Sequence, residues 1–199
     1  MAQHPLAIIP LKGFDEAKGR LELPPEARSV LARVVAERVI MACGAGGLEP
    51  LVITGSESIR RWATGLAAAC LDEPPEGGLN AAAASGATEA GRIGAPWLVV
   101  HGDLPLLDAE DLGALLAPLN EGGVVIAPSR DGGTNLLGST GPFEFRYGPG
   151  SFHRHLAVLG ERRPHTVVTV GTAVEVDTLP DLRAAARLPE GAWLRRFLS

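Results

Sequence analysis

Strand-like and helix-like segments alternate along all 199 residues, which predicts a three-layer α/β/α fold around a mostly parallel mixed sheet. Two further observations support that class. The strand-like segments, such as 6–10 (Leu-Ala-Ile-Ile-Pro), 51–54 (Leu-Val-Ile-Thr) and 97–100 (Trp-Leu-Val-Val), are apolar runs without alternation, as strands covered on both faces require. No internal repeat or low-complexity linker divides the chain, so residues 1–199 read as one domain, with a core over about 6–188 and a tail over 189–199.

Composition narrows the function. With 46% hydrophobic and 21% charged residues, the chain is of the ordinary globular kind, not a disordered one. A net charge of -5 gives no general attraction to nucleic acid or to an anionic membrane. An acidic chain that handles phosphates must therefore gather cations, or a metal, locally. No apolar run approaches the roughly 18 residues that span a bilayer, and the first residues lack a leader pattern, so a cytoplasmic location is expected. Cys43 and Cys70 are expected to be buried free thiols, since no zinc-like spacing is present.

Each element then brings its own chemistry. The strand at 6–10 delivers Lys12, Lys18 and Arg20 within nine residues. Such a loop suits either a polyphosphate or plain solvent, and the spacing of a Walker A loop is absent. Pro24-Pro25 opens a helix running to Gly44 or Gly46-Gly47. After the strand at 51–54, Ser56 reads as the N-cap of a helix over about 57–66, and 67–71 is a third short strand. Asp72–Asn80 is a Gly/Pro-rich loop before an alanine-rich helix over about 81–91. Gly77-Gly78 there allow either a simple turn or close approach of a ligand to the backbone.

The strand at 97–100 ends in His101-Gly102-Asp103. Asp103 stands where an open α/β sheet collects its ligands, although capping a turn would equally use it. Asp108 caps the next helix, near 109–119. The strand at 123–127 leads to Ser129-Arg130-Asp131-Gly132-Gly133-Thr134, which suits phosphate oxygens or a tight hairpin. Gly148-Pro149-Gly150 is a turn, with Ser151 as the expected N-cap of a helix to about 160, a position that suits capping alone or capping with a phosphate.

The last strands are expected at 166–170 and 174–176. Strand alternation would point Glu175 and Asp177 the same way, and two adjacent carboxylates call for a cation such as magnesium. Pro180 opens a short helix to about Leu188. The tail, with Trp193 and Phe197, is a packing segment or a homodimer contact.

Taken together, a cationic loop, an Asp closing a central strand, two phosphate-friendly turns and a late acidic pair are what nucleotidyl transfer needs. The motifs that run through the chain are Ile9-Pro10-Leu11-Lys12 with Ala17-Lys18-Gly19-Arg20-Leu21, Gly78-Leu79-Asn80, Gly102-Asp103-Leu104-Pro105-Leu106-Leu107 and Gly133-Thr134-Asn135. Tyr147-Gly148-Pro149-Gly150-Ser151-Phe152-x-Arg154-His155 and Val176-Asp177-Thr178-x-x-Asp181-Leu182 complete them. In this order they resemble the CofC/FbiD family, the guanylyltransferases of coenzyme F420 biosynthesis, over about residues 8–187. The Gly-Pro-Gly-Ser-Phe-x-Arg-His run is the most specific part.

The resemblance implies a glycosyltransferase-A-like, Rossmann-like nucleotidyltransferase fold and a magnesium-dependent (Mg2+) reaction. GTP would react with a small phosphorylated acid (phosphoenolpyruvate, 2-phospho-L-lactate or 3-phosphoglycerate) and release pyrophosphate. It also implies that Asp103, Glu175 and Asp177 hold metal, that Thr134, Gly148 and Ser151 bind the acceptor phosphate, and that Lys12, Lys18 and Arg20 face the GTP phosphates. Gly78 and Asn80 would help place the nucleoside, with Lys12, Lys18 and Asp103 nearest the chemistry. His101 takes no role in this pattern. A molybdenum cofactor guanylyltransferase-like enzyme is a rival, but that group carries a glycine-rich, Arg-containing loop where this chain has Pro10-Leu11-Lys12-Gly13-Phe14. A non-catalytic nucleotide-binding domain is a second rival, and the retention of all three acidic positions argues against it.

Overall fold

A computed structural model describes residues 3–15, 19–75 and 77–198. Its elements are β1 (Leu6–Pro10), α1 (Pro25–Ala45), β2 (Glu49–Thr54), α2 (Glu57–Thr64), β3 (Ala69–Asp72), α3 (Gly78–Ile93), β4 (Trp97–Val100) and α4 (Ala109–Asn120). They continue with β5 (Val125–Pro128), β6 (Thr134–Ser139), α5 (Ser151–Leu159), β7 (His165–Thr166), α6 (Val170–Ala173), α7 (Leu179–Ala185) and a 3-10 turn over Ala192–Phe197. One sheet runs in the order β3-β2-β1-β4-β6-β5-β7. Pairings β1–β2, β1–β4, β2–β3 and β5–β7 are parallel, and β4–β6 and β5–β6 are antiparallel. The mostly parallel mixed sheet expected from the apolar runs is therefore present.

Alternation within β1 divides its side chains between two cores. Ala7 and Ile9 join Val39 and Ile40 of α1, Ile59 of α2 and Leu112 and Leu115 of α4. Leu6 and Ile8 join Ala82, Ala83 and Ala90 of α3 together with Phe145, Tyr147 and Leu159. All of these are buried, so helices cover both faces and the three layers close. Helix α3 lies especially near the sheet. A Cβ on its Gly86 would stand 2.5 Å from Ile8 Cγ2, and the alanine-rich face keeps that approach open.

A third core joins the outer side of α1 to the end of the chain. Leu31 and Val35 pack with Leu21, Val176, Leu182, Ala185 and Leu194. The tail is thus a packing segment, and Arg38 lies over the Trp193 ring at 4.8 Å. Among the described residues, no helix is long and apolar enough to cross a membrane.

Several expectations are corrected. Ala67 has φ +60 and β3 begins only at Ala69. The strands expected at 166–170 and 174–176 shrink to the two residues of β7, with a helical turn at Val170–Ala173. The cause is local. Thr169 Oγ1 accepts the Thr172 N–H at 3.1 Å and Thr172 Oγ1 accepts the Thr169 N–H at 2.9 Å, a reciprocal cap that outweighs the β preference of the valines. Cys43 is a buried free thiol, whose pKa burial raises to about 12. Cys70 is only half-buried.

Candidate active site

The strand order itself locates the site. From β1 the chain passes through α1 to β2 and β3 on one side, then crosses back through α3 to place β4 on the other. Loops leaving neighbouring strands in opposite directions open a crevice at their carboxyl ends. Here that crevice is a cavity of about 250 Å³, lined by Pro10, Leu11 and Lys12 after β1, by His101, Gly102 and Asp103 after β4, and by Asp177. The two loops touch because Gly102 has no side chain. A Cβ there would stand 2.4 Å from Leu11 Cδ2.

Asp103 and Asp177 come together without the expected strand. The Val176 N–H donates to the Asp103 carbonyl oxygen at 3.3 Å, and the Val176 side chain is fully buried beside Leu31 and Val35. Thr178 then caps α7, accepting the Asp181 N–H while Asp181 Oδ2 accepts the Thr178 N–H. This anchors the chain on either side of Asp177. Glu175 is half-buried and does not line the cavity. The alternation argument for a Glu175–Asp177 pair thus loses its basis, because no strand forms there. Among the described residues no three His, Cys, Asp or Glu side chains form a ready metal cluster. Magnesium is commonly held by one or two carboxylates, with waters and substrate phosphates completing its shell. The Asp103–Asp177 pair on a shared cavity suits that donor set.

The cations divide. Lys12 is exposed at the cavity rim. Lys18 lies outside the described residues. Arg20 is exposed and beside Asp131, whose carboxyl is held below its usual value by the Ser129 hydroxyl and the Gly133 N–H, with Arg20 contributing. Arg20 therefore stands by the β5–β6 hairpin, and not on the Lys12 cavity.

Gly78 begins α3 at φ +82 and donates its N–H to Glu73 Oε1 at 2.9 Å. It lines two further cavities that also carry Lys12. Asn80 Oδ1 accepts the Tyr147 N–H at 2.7 Å, which ties the start of α3 to the segment before the glycine turn. Its carbonyl is thus committed to the fold.

Thr134, Gly148 and Ser151 do gather, with limits. The residues at 128–134 form a hairpin, with the Gly133 N–H donated to Ser129 Oγ at 2.8 Å, so Thr134 opens β6 and is buried. Gly150, at φ +68, is the N-cap of α5. Ser151 is the first helical residue and buries its hydroxyl, donating to Thr134 Oγ1 at 3.3 Å. Two of the first N–H groups of α5 are used internally, Ser151 N to the Gly148 oxygen and Phe152 N to the Gly132 oxygen. The exposed face of this cluster is Gly148–Gly150, and Gly148, at φ +115, has the backbone freedom that turn needs.

His155 and His101 were not assigned from sequence, and both matter. His155 Nε2 accepts the Arg146 N–H at 2.9 Å, and Nδ1 lies 3.0 Å from Thr134 Oγ1. Burial, with Arg154 and His101 nearby, lowers its pKa to about 4. The His101 ring lies 5.3 Å from that of Tyr147, which is 4.8 Å from His155. His101 also donates its backbone N–H to the Asn135 oxygen at 3.1 Å. It forms the wall between the Asp103 cavity and the Thr134 cluster. The -Arg154-His155 end of the glycine-turn motif was the available signal for the second histidine; only the fold locates the first.

Comparison with known proteins identifies the family. The pattern described as "Guanylyl transferase CofC like" matches residues 6–186. A phosphoenolpyruvate guanylyltransferase from Conexibacter woesei is 36% identical over 92% of this chain and 83% of its own. A 2-phospho-L-lactate guanylyltransferase from Methanothermobacter thermautotrophicus is 31% identical over 96% and 88%, and a 3-phospho-D-glycerate guanylyltransferase from Phenylobacterium zucineum is 33% identical over 97% and 94%. In fold, the chain is similar to a nucleotidyl transferase from Methanothermobacter thermautotrophicus, with TM-score 0.66, 16% identity and 99% of both chains covered. With a match across nearly its whole length and relatives above 30% identity, the chain belongs to the CofC-like guanylyl transferase family.

Proposed function

We propose that this protein transfers GMP from GTP to the phosphate of a three-carbon phosphorylated acid, with release of pyrophosphate, as a magnesium-dependent step of coenzyme F420 biosynthesis. The observation that carries this reading is the shared cavity of Asp103, Asp177 and Lys12 where the strand order reverses. The family membership and the guanylyltransferase names of the relatives support it.

The chemistry asks little of side-chain acids and bases. A phosphate oxygen of the acceptor is already anionic and attacks the α-phosphorus of GTP. A new P–O bond forms, the bond to the bridging oxygen of the β-phosphate breaks, and pyrophosphate leaves with that electron pair. The protein's part is positioning and charge neutralisation. Asp103 and Asp177 would hold magnesium, which supplies charge neutralisation on the triphosphate. Lys12 would face the same phosphates, and Lys18 joins it on the strength of the family resemblance alone; Arg20, beside Asp131, stands apart from that cavity. Gly78 lies on the nucleoside side, and Asn80 steadies the start of α3. The acceptor phosphate sits over Gly148, with Thr134 and Ser151 behind it and His101 between acceptor and nucleotide.

Phosphoenolpyruvate, 2-phospho-L-lactate and 3-phosphoglycerate all present a phosphate and a carboxylate on a small frame, and each stands in the name of at least one relative. The test is pyrophosphate release by purified protein with GTP, magnesium and each acid in turn. Release with at least one acid is expected; silence with all three overturns the proposal.

A further inference from the structure

The switch-point cavity continues sideways. Lys12 also lines a cavity of about 610 Å³ at the carboxyl ends of β2 and β3. A smaller one of about 100 Å³ shares Lys12 and Leu11 with the first, and Lys12, Glu73 and Gly78 with the second. The wall of the large cavity includes bare backbone at Gly13, Gly55, Gly77 and Gly78, flanked by Pro74 and Pro75. Bare backbone and proline rings leave room for a flat ring system to lie close to the chain.

Few side chains there can read such a ring. Thr54 Oγ1 accepts the Ser56 N–H at 3.1 Å, and Ser56 Oγ pairs with Ser58 Oγ at 2.9 Å, so both hydroxyls serve the start of α2. Glu73 is different. Its Oε1 accepts the Gly78 N–H at 2.9 Å, which fixes the carboxylate before any ligand arrives. Its Oε2 lies toward Gly55 on the opposite wall, 3.6 Å from where a Cβ on that glycine would be. An ionised carboxylate only accepts hydrogen bonds, and each oxygen can take more than one.

We infer that Glu73 reads the guanine base of the nucleotide. Guanine presents two neighbouring donors, N1–H and the exocyclic amino group, and a carboxylate accepts both. Adenine presents an acceptor at its N1, which faces the carboxylate with like polarity. A site built to pair with donors rejects analogues that lack them far more sharply than an apolar pocket rejects a change of size. Lys12 stands between the two cavities, so triphosphate on its near side places the base on the Glu73 side. This inference rests on the guanylyl-transfer reading and adds the residue that selects the base.

The test is kcat/KM for GTP, ITP and ATP in wild type, Glu73→Gln and Glu73→Asp. ITP retains N1–H and lacks the exocyclic amino group. Wild type is expected to prefer GTP over ITP by roughly ten- to a hundredfold, the worth of one charge-assisted hydrogen bond, and to prefer it over ATP by more. In Glu73→Gln the GTP:ITP ratio should fall toward one, through the KM for GTP, with the KM for the acceptor unchanged. Glu73→Asp keeps the charge, withdraws it by one methylene and should lower the ratio as well. Merely structural damage would lower both nucleotides together. A wild type that treats GTP and ITP alike, or variants that keep the wild-type ratio, overturns the role of Glu73. A wild type silent with GTP and every acceptor overturns the underlying reading first, and the role of Glu73 with it.

Discussion

His155 donates its Nδ1 proton to Thr134 Oγ1 across 3.0 Å, because its Nε2 already accepts the Arg146 N–H at 2.9 Å. Ser151 donates to the same threonine oxygen at 3.3 Å. Thr134 therefore receives two protons, and its own is turned away from both donors. The buried imidazole works only as this neutral tautomer; a second ring proton would face the Arg146 N–H.

A pH dependence follows, and its sign can be worked out. The pKa of His155 is lowered in the fold to about 4, below the ordinary histidine value near 6.5. Between those values the unfolded chain binds the proton and the folded chain does not. Stability from this group is thus complete above about pH 6.5 and lost as pH falls toward about 4, by about 3 kcal/mol in all. Thermal melts of wild type and His155→Gln at pH 7 and pH 4.5 check it. Wild type should lose more stability than the variant over that interval; equal losses would assign the acid sensitivity elsewhere.

Glycines at two helix positions should respond in opposite ways. Gly86→Ala sets a Cβ 2.5 Å from Ile8 Cγ2 and 2.8 Å from its Cγ1. Overpacking of about 1–3 kcal/mol exceeds the gain in helix propensity of up to about 1 kcal/mol, so the variant should melt earlier. Gly113 lies within α4 with open space around its Cβ position, and Gly113→Ala should stabilise by about 0.5–1 kcal/mol. Denaturant midpoints for the pair would show whether helix-to-sheet contact, and not glycine itself, sets the cost.

Lys12 borders every cavity along the trough from Asp103 to Glu73. Lys12→Met keeps most of the side-chain length and removes the charge, so the KM for GTP should rise about tenfold or more, the worth of a charged hydrogen bond to phosphate. Steady-state kinetics with GTP varied would register this. An unchanged kcat/KM for GTP would remove Lys12 from the triphosphate site.

How far the site could be read from sequence depended on the range of the forces involved. The strands at 6–10 and 97–100 and the placing of Asp103 were legible, because apolar runs and their polar ends are local signals that burial enforces. The end of the chain was not. Thr169 and Thr172 cap one another, and Val176 is drawn into the α1 core, so what resembled strands became a turn and an anchored loop. Asp177 is still brought to the cavity of Asp103, where the neighbouring Val176 N–H donates to the Asp103 carbonyl oxygen, a contact that no periodicity announces. Ser151 looked like a cap, yet Gly150 takes that position in a left-handed conformation, and the serine turns inward to Thr134. Glu73, within a loop that reads as a turn, gains its meaning only from the cavity around it.

The central claim is that the cavity of Asp103 and Asp177 is where guanylyl transfer occurs. Its most direct measurement is pyrophosphate release from GTP and an active acceptor by wild type and Asp103→Asn, with circular dichroism on both. Asp103 is half-buried and its carbonyl oxygen, unchanged by the substitution, still accepts the Val176 N–H, so Asp103→Asn should fold normally and lose turnover by about a hundred- to a thousandfold. Near-normal pyrophosphate release by a folded Asp103→Asn in the presence of magnesium would contradict the account.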